Sequence, residues 1–270
     1  MVALNPFHDN VVLLTGASRG IGREMAFQLA DQGAVLALAA RDAESLEQVV
    51  IECRDRGALA VAIPSDVSVE ETCKRLVDET ITALGRLETL VCNAGITMWA
   101  LFEEIEDLSI FEKIMQVNYF GSVYCTHYAL PHLKKTRGRI VGVSSLTGKT
   151  GVPTRSGYAA SKHAMAGFFD TLRIELADSG VSVTMAYPDF VATDVRARAF
   201  GRAGKPLGTS PVQEGKVMPT DVAARKILAA AATRKREIIM SRRGRLGLWL
   251  KLIAPSLIDR IARRAIARGR

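Results

Sequence analysis

Apolar and polar positions fall in blocks along the chain. Asn10–Leu14 is a short apolar run with β-branched residues, and it predicts a buried strand. After a glycine-rich stretch, Met25, Ala26, Leu29 and Ala30 share one helical face, and Gly33 ends the pattern. Val35–Ala40 predicts a second strand closed by Arg41, and Ala43–Arg56 a helix ending at Gly57. Further strands are predicted at Ala58–Ile63, Leu87–Cys92, Arg139–Ser144, Val181–Ala186 and Glu237–Met240. Helices are predicted between them at Glu70–Leu84, Leu108–Leu133, Tyr158–Ala177 and Thr220–Ala232. Residues 194–218 are polar, contain Gly201, Gly204, Gly208 and Gly215, and predict a mobile loop. Strands this apolar do not suit a half-exposed sheet. Alternating with helices, they predict an α/β fold: a doubly wound parallel sheet covered on both faces, in one domain over residues 1–240.

Composition changes this picture only at the C-terminal end. A chain of 270 residues with 48% hydrophobic residues and mean hydropathy +0.13 can bury a large core. No run approaches the ~20 apolar residues of a membrane span, and no signal peptide is expected at the N-terminus. Cys53, Cys73, Cys92 and Cys125 lack metal or CxxC spacing, which predicts reduced core thiols and a cytoplasmic setting. The four histidines form no ligand set, so no metal is expected. The net charge of +8 is located in residues 241–270, where nine basic residues face one acid, Asp259. In the same segment Leu246, Leu248, Trp249, Leu250, Leu252 and Ile253 form an apolar cluster, and Pro255 interrupts it. Leu257, Ile258, Ile261, Ala262, Ala265 and Ile266 then follow a helical stripe opposite Arg260, Arg263 and Arg264. This basic amphipathic extension predicts either peripheral membrane contact through residues 244–270 or packing on its own fold or a second subunit. The basic residues lack interleaved aromatics, so no nucleic-acid partner is expected.

Three stretches carry chemistry. Gly16, Gly20 and Gly22 lie between the first strand and the first helix, where a backbone without Cβ can approach a pyrophosphate at a helix N-terminus. An acid about 20 positions further on would bind the 2′-hydroxyl of NAD. Those positions read Ala39-Ala40-Arg41, and Arg19 lies inside the glycine loop. Two guanidinium groups suit a 2′-phosphate, so NADP(H) is expected over NAD(H), although Asp42 stands beside Arg41 and could neutralise it. Tyr158 and Lys162 are four apart and share a helix face. Lowering a phenol from about 10 by ~3 units needs ~4 kcal/mol. A cation ~4 Å away supplies roughly that at an effective dielectric of ~20. Lys162 is therefore expected to tune Tyr158 into a general acid or base, although such pairs also arise by chance on solvated helices.

Taken together, Thr15–Gly22, Asp66-Val67, Asn93-Ala94-Gly95, Asn118, Ser144-Ser145, Tyr158 with Lys162, and Pro188-x-x-Val191-x-Thr193 carry a resemblance. Over residues 11 to about 240 the chain resembles the short, single-domain branch of the short-chain dehydrogenases/reductases, including their hydroxysteroid-active members. The resemblance implies a Rossmann-like fold, a homodimer or homotetramer, and a small carbonyl or alcohol substrate. It implies cofactor contacts from Gly16, Ser18, Arg19, Gly20, Ile21 and Gly22, with Asp66 on the adenine amino group and Val67 beside the ring. Asn93, Ala94 and Gly95 would line the cofactor's centre, and Pro188, Val191 and Thr193 its nicotinamide end. Ser145 would hold the substrate oxygen and Tyr158 would exchange its proton. Lys162 would bind the nicotinamide ribose, and Asn118 would position a water linking Lys162 to solvent. One departure is Pro188-Asp189, where the family usually has Pro-Gly. The expected substrate wall is Thr97, Met98, Trp99, Leu146, Thr147, Val152, Pro153 and the loop 194–218, mostly apolar, which favours a lipophilic substrate. Arg155, Arg196 and Arg198 leave an anionic one open. The expected activity is NADP(H)-dependent interconversion of a ketone or aldehyde and an alcohol. The alternative is a dinucleotide-binding protein without turnover, acting as a sensor or membrane-attached scaffold.

Overall fold

The structure is a computed structural model that describes residues 5–210 and 217–267. Among them, seven parallel strands form one sheet in the order β3-β2-β1-β4-β5-β6-β7. These are β1 (Val11–Thr15), β2 (Val35–Ala39), β3 (Ala60–Ala62), β4 (Thr89–Cys92), β5 (Arg139–Val143), β6 (Ser182–Tyr187) and β7 (Glu237–Ile239). Side chains alternate across a strand, so both faces of β1 need cover. Val12 and Leu14 enter one core with residues of α1 (Gly20–Ala30), α2 (Ala43–Asp55) and α7 (Thr220–Ala232). Leu13 enters the other with α3 (Glu70–Leu84), α5 (Gly121–Thr136) and α6 (Ser156–Glu175). The expected doubly wound α/β fold is thus present, and the four cysteines are buried and free.

Two expectations change. The single helix predicted over Leu108–Leu133 is divided into α4 (Ser109–Met115) and α5 by a π-helical turn at Gln116–Phe120. Asn118 sits inside that turn, and its side chain takes hydrogen bonds away from the helix. The loop 194–218, predicted mobile, is tied down over its described part. Phe200 pairs with Met98 and Pro206, and Val191 with Met218. Gly215 lies outside the described residues.

The extension forms α8 (Arg242–Ile253) and α9 (Pro255–Ala267). Ser241 caps α8 by accepting from Gly244 N at 2.8 Å, and Lys251 Nζ donates to Lys149 O at 2.9 Å. A Cβ on Gly244 would lie 3.0 Å from Leu146, so α8 begins against the segment after β5. Leu246, Trp249, Leu252 and Ile253 remain exposed. No helix among the described residues is long and apolar enough to cross a membrane.

Candidate active site

The strand order reverses at β1 and β4, and a cavity of about 740 Å³ opens along the ends of these strands. One end is built from the loop before α1. Gly16 has φ +68°, and a Cβ there would lie 2.8 Å from Ala94 Cα. A Cβ on Gly22 would lie 2.1 Å from Gly16 O, so neither position admits a side chain. Asn93 holds the loop open: its Nδ2 donates to Thr15 O and Gly16 O at 3.0 and 3.1 Å. At the N-terminus of α1, Arg19 provides no side-chain cap and the first turn holds no acid. Free N–H groups and the positive end of the helix therefore face the cavity, which suits a pyrophosphate.

The charges beside this loop are not arranged as the sequence suggested. Arg19, expected to join Arg41 in facing a phosphate, is held by Asp42 at 2.6 Å, with Ser45 at 3.3 Å and Asp194 at 3.8 Å. Asp42 also caps α2, and bonds from Ser45, then Arg19, hold its pKa down at about 2. Asp42 thus neutralises Arg19 rather than Arg41. Arg41 lines the cavity, is exposed and makes no ion pair among the described residues. Asp66 lines it too, with Oδ1 accepting from Ser68 N and Oγ.

At the other end stand Ser145, Tyr158 and Lys162. Ser145 lies two residues beyond β5 and caps the short turn Leu146–Gly148. Tyr158 and Lys162 lie one turn apart near the start of α6. Ser144 Oγ donates to Lys162 O at 3.2 Å, which fixes α6 to the end of β5. Lys162 is buried and its ammonium donates to Val143 O at 2.9 Å. Burial pulls its pKa down to about 8. Burial raises the Tyr158 phenol, while Arg155 and the Ser145 hydroxyl oppose that rise. The phenol is thus raised rather than lowered, because burial outweighs the groups that oppose it. The Lys162 ammonium, bonded to the Val143 carbonyl, lies 5.9 Å from the Tyr158 ring centroid, and the Arg155 guanidinium carbon lies 5.7 Å from it.

Of the residues expected at the site, Gly16, Ser18, Arg19, Gly20, Ile21, Gly22, Arg41, Asp66, Val67, Asn93, Ala94, Gly95, Ser145, Tyr158, Lys162, Pro188, Val191 and Thr193 line this one cavity. Asn118 does not. It lies fully buried behind the wall, where Oδ1 accepts from Ile96 N at 2.8 Å and Nδ2 donates to Ile96 O and Ser161 Oγ, each at 2.9 Å. These three bonds tie the turn that carries Asn118 to the segment after β4 and to α6.

A model of the short chain dehydrogenase family matches residues 10–202. The chain belongs to the short-chain dehydrogenases. It is 37% identical over 259 residues to "11-beta-hydroxysteroid dehydrogenase A" of Sesamum indicum, covering 94% of this chain and 74% of that one. It is 47% identical over 185 residues to "11-beta-hydroxysteroid dehydrogenase-like 4A" of Arabidopsis thaliana, covering 68% of this chain and 62% of that one. A short chain dehydrogenase/reductase from Burkholderia phymatum, solved in complex with NAD, shares the fold with TM-score 0.83 at 24% identity. The match covers 93% of this chain and 96% of that one.

Against the pattern of short-chain dehydrogenases, Asp189 is accommodated. It lines the cavity, and its carboxylate accepts from Phe190 N at 3.0 Å and Ser241 Oγ at 2.8 Å. The unusual acid therefore ties the start of the C-terminal extension to the site. The substrate wall differs from expectation as well. Thr97, Leu146, Thr147 and Val152 line it, whereas Met98, Trp99 and Pro153 lie outside the lining. Val195, Arg196 and Arg198 of the loop 194–218 line it as expected, and Ile96 and Phe190 line it and were not foreseen. Nothing in their spacing marks them, because the loops that carry them follow no period.

Proposed function

We propose that this short-chain dehydrogenase interconverts a ketone or aldehyde and the corresponding alcohol with NADP(H). The observation that carries the reading is the single cavity that joins an uncapped helix N-terminus at one end to Ser145, Tyr158 and Lys162 at the other. The uncapped α1 and the glycine loop would hold the pyrophosphate, and Asp66 the adenine. Arg41 would take the 2′-phosphate, since Asp42 leaves it without a counter-charge. Val191 and Thr193 would hold the nicotinamide end. When bound, the nucleotide supplies or receives the hydride. In reduction, Tyr158 gives its proton to the substrate oxygen while Ser145 donates a hydrogen bond to that oxygen. Arg155 and Lys162 supply positive charge near the phenolate that remains. Asn118 is a positioning residue that fixes Ile96 and Ser161.

Ile96, Leu146, Val152, Phe190 and Val195 give the substrate end an apolar surface, which supports a lipophilic substrate. The names of the hydroxysteroid-dehydrogenase relatives are consistent with that. The domain reading is a catalytic unit over residues 1–240 and a basic extension over 241–270. The exposed Leu246, Trp249, Leu252 and Ile253, together with the local positive charge, support contact with an anionic membrane surface. A homodimer or homotetramer in the cytoplasm completes the proposal. It is tested by NADPH oxidation with a panel of ketones and aldehydes. Tyr158→Phe is expected to lower kcat by ~10³-fold, and turnover that survives the substitution contradicts the assignment.

A further inference from the structure

A buried cation at the substrate end has no anion of its own among the described residues. Arg155 is 6% exposed and lines the cavity, with its guanidinium carbon 5.7 Å from the Tyr158 ring centroid. Nη1 donates to Thr97 Oγ1 at 2.7 Å, and the guanidinium carbon lies 4.3 Å from the Trp99 ring centroid. The buried Nε has no hydrogen-bond partner, and the side chain makes no ion pair among the described residues. The described carboxylates that line this end are engaged elsewhere. Asp189 accepts from Ser241, and Asp194 pairs with Arg198 at 2.8 Å and faces Arg19. Arg196 is 3% exposed and lines the same space. It adds positive charge that works against Arg155. Directly before Arg155, Thr154 has φ +69°, a conformation that is costly for a β-branched residue. The fold therefore holds a desolvated guanidinium at the reacting end of the cavity with part of its donor fork unused.

We infer that Arg155 is an anion subsite and that the substrate is an oxo acid, or the hydroxy acid in the reverse direction, whose carboxylate pairs with Arg155 while its carbonyl meets Tyr158 and Ser145. This rests on the carbonyl-reducing function proposed above. Reduction takes one hydride from the reduced nucleotide and one proton through Tyr158, converts C=O to CH–OH, and leaves the carboxylate unchanged. A guanidinium fork can meet both oxygens of a carboxylate. Leu146 and Val152 would pack the apolar chain of the acid. A neutral ketone of the same shape leaves the buried charge uncompensated, so the acid is favoured over its ester.

The test uses the full chain, NADPH, and the pair 5-oxodecanoate and methyl 5-oxodecanoate. The wild-type protein is expected to prefer the acid by ~100-fold in kcat/KM, the scale set by truncating one partner of a buried charge pair. Arg155→Met should bring the acid-to-ester ratio within ~3-fold of one, and Arg155→Lys, which keeps the charge without the fork, should retain a preference of ~10-fold. The ratio cancels any common effect of these changes on Tyr158. Binding is read apart from turnover by thermal shift of the NADP⁺ complex with decanoate. Decanoate should stabilise the wild type and Tyr158→Phe but not Arg155→Met. A wild-type ratio of one, a preference that survives Arg155→Met, or an equal decanoate shift in Arg155→Met overturns the subsite. Arg155-dependent binding of decanoate in a protein that reduces no carbonyl would keep the subsite and defeat the enzymatic function instead.

Discussion

Burial governs Lys162 more than its neighbours do. The folded protein pulls its pKa from the ordinary 10.5 to about 8, so the charged form is disfavoured in the fold. Between pH 8 and 10.5 the unfolded chain keeps a proton that the folded chain releases. Stability therefore rises across that window, and the cost is fully present below it. The shift corresponds to about 3 kcal/mol, and losing the bond to Val143 O returns about 1 kcal/mol of it. Lys162→Met should thus stabilise the protein by about 2 kcal/mol at pH 7, with the gain fading towards pH 10 in paired thermal melts. It should also abolish turnover. Arg41 is exposed and makes no ion pair among the described residues. Arg41→Asp should lower kcat/KM for NADPH by ~10–100-fold and leave that for NADH equal or higher. An unchanged ratio of the two would remove Arg41 from cofactor choice. The type and spacing of Tyr158 and Lys162 were legible in the sequence. The direction of the ammonium was not, because it depends on the carbonyl of Val143, which only the fold brings near.

At the scale of elements, the strands and most helices were legible because both faces of the sheet are buried. The apolar runs of β1, β2 and β4 admit no other placement. The interruption at Gln116–Phe120 was not legible. A π turn adds one residue to a turn and leaves no mark in a 3.6-residue period averaged over a long helix. It shows in the backbone, where Gly121 N–H reaches Gln116 O, and the side chain of Asn118 within it makes three bonds to Ile96 and Ser161. Those bonds join α4, α5 and α6 to the strand-end segment beside the cavity. Asn118→Ala is expected to cost about 2–4 kcal/mol and Ser161→Ala about 1 kcal/mol in urea unfolding. Equal small losses in both would show that the latch is dispensable. The wall residues Ile96 and Phe190 were equally hidden, since they sit in loops after the strands rather than on a periodic face.

At the scale of the whole molecule, the body and the extension meet at Asp189 and Ser241, beside the end of the cavity where chemistry is proposed. The charge asymmetry was legible, since residues 241–270 carry the net charge of the chain. The docking of α8 was not, because it rests on Lys251 reaching Lys149 O, 102 positions away in sequence. With Leu246, Trp249, Leu252 and Ile253 exposed, the pair Trp249→Glu and Leu252→Glu should weaken binding to anionic vesicles by at least ~100-fold. Vesicle binding unaffected by that pair, or none by the wild type, would direct the apolar face to a second subunit.

The central claim is that Ser145, Tyr158 and Lys162 reduce a carbonyl at the end of a nucleotide cavity. Deuterium transfer from C4-labelled NADPH to the carbinol carbon tests it most directly. The wild-type protein should deliver the label stereospecifically, and Tyr158→Phe should do so ~10³-fold more slowly while still binding NADPH. Delivery by Tyr158→Phe at a rate within ~3-fold of wild type would contradict the account, because it would leave the phenol without a part in the chemistry.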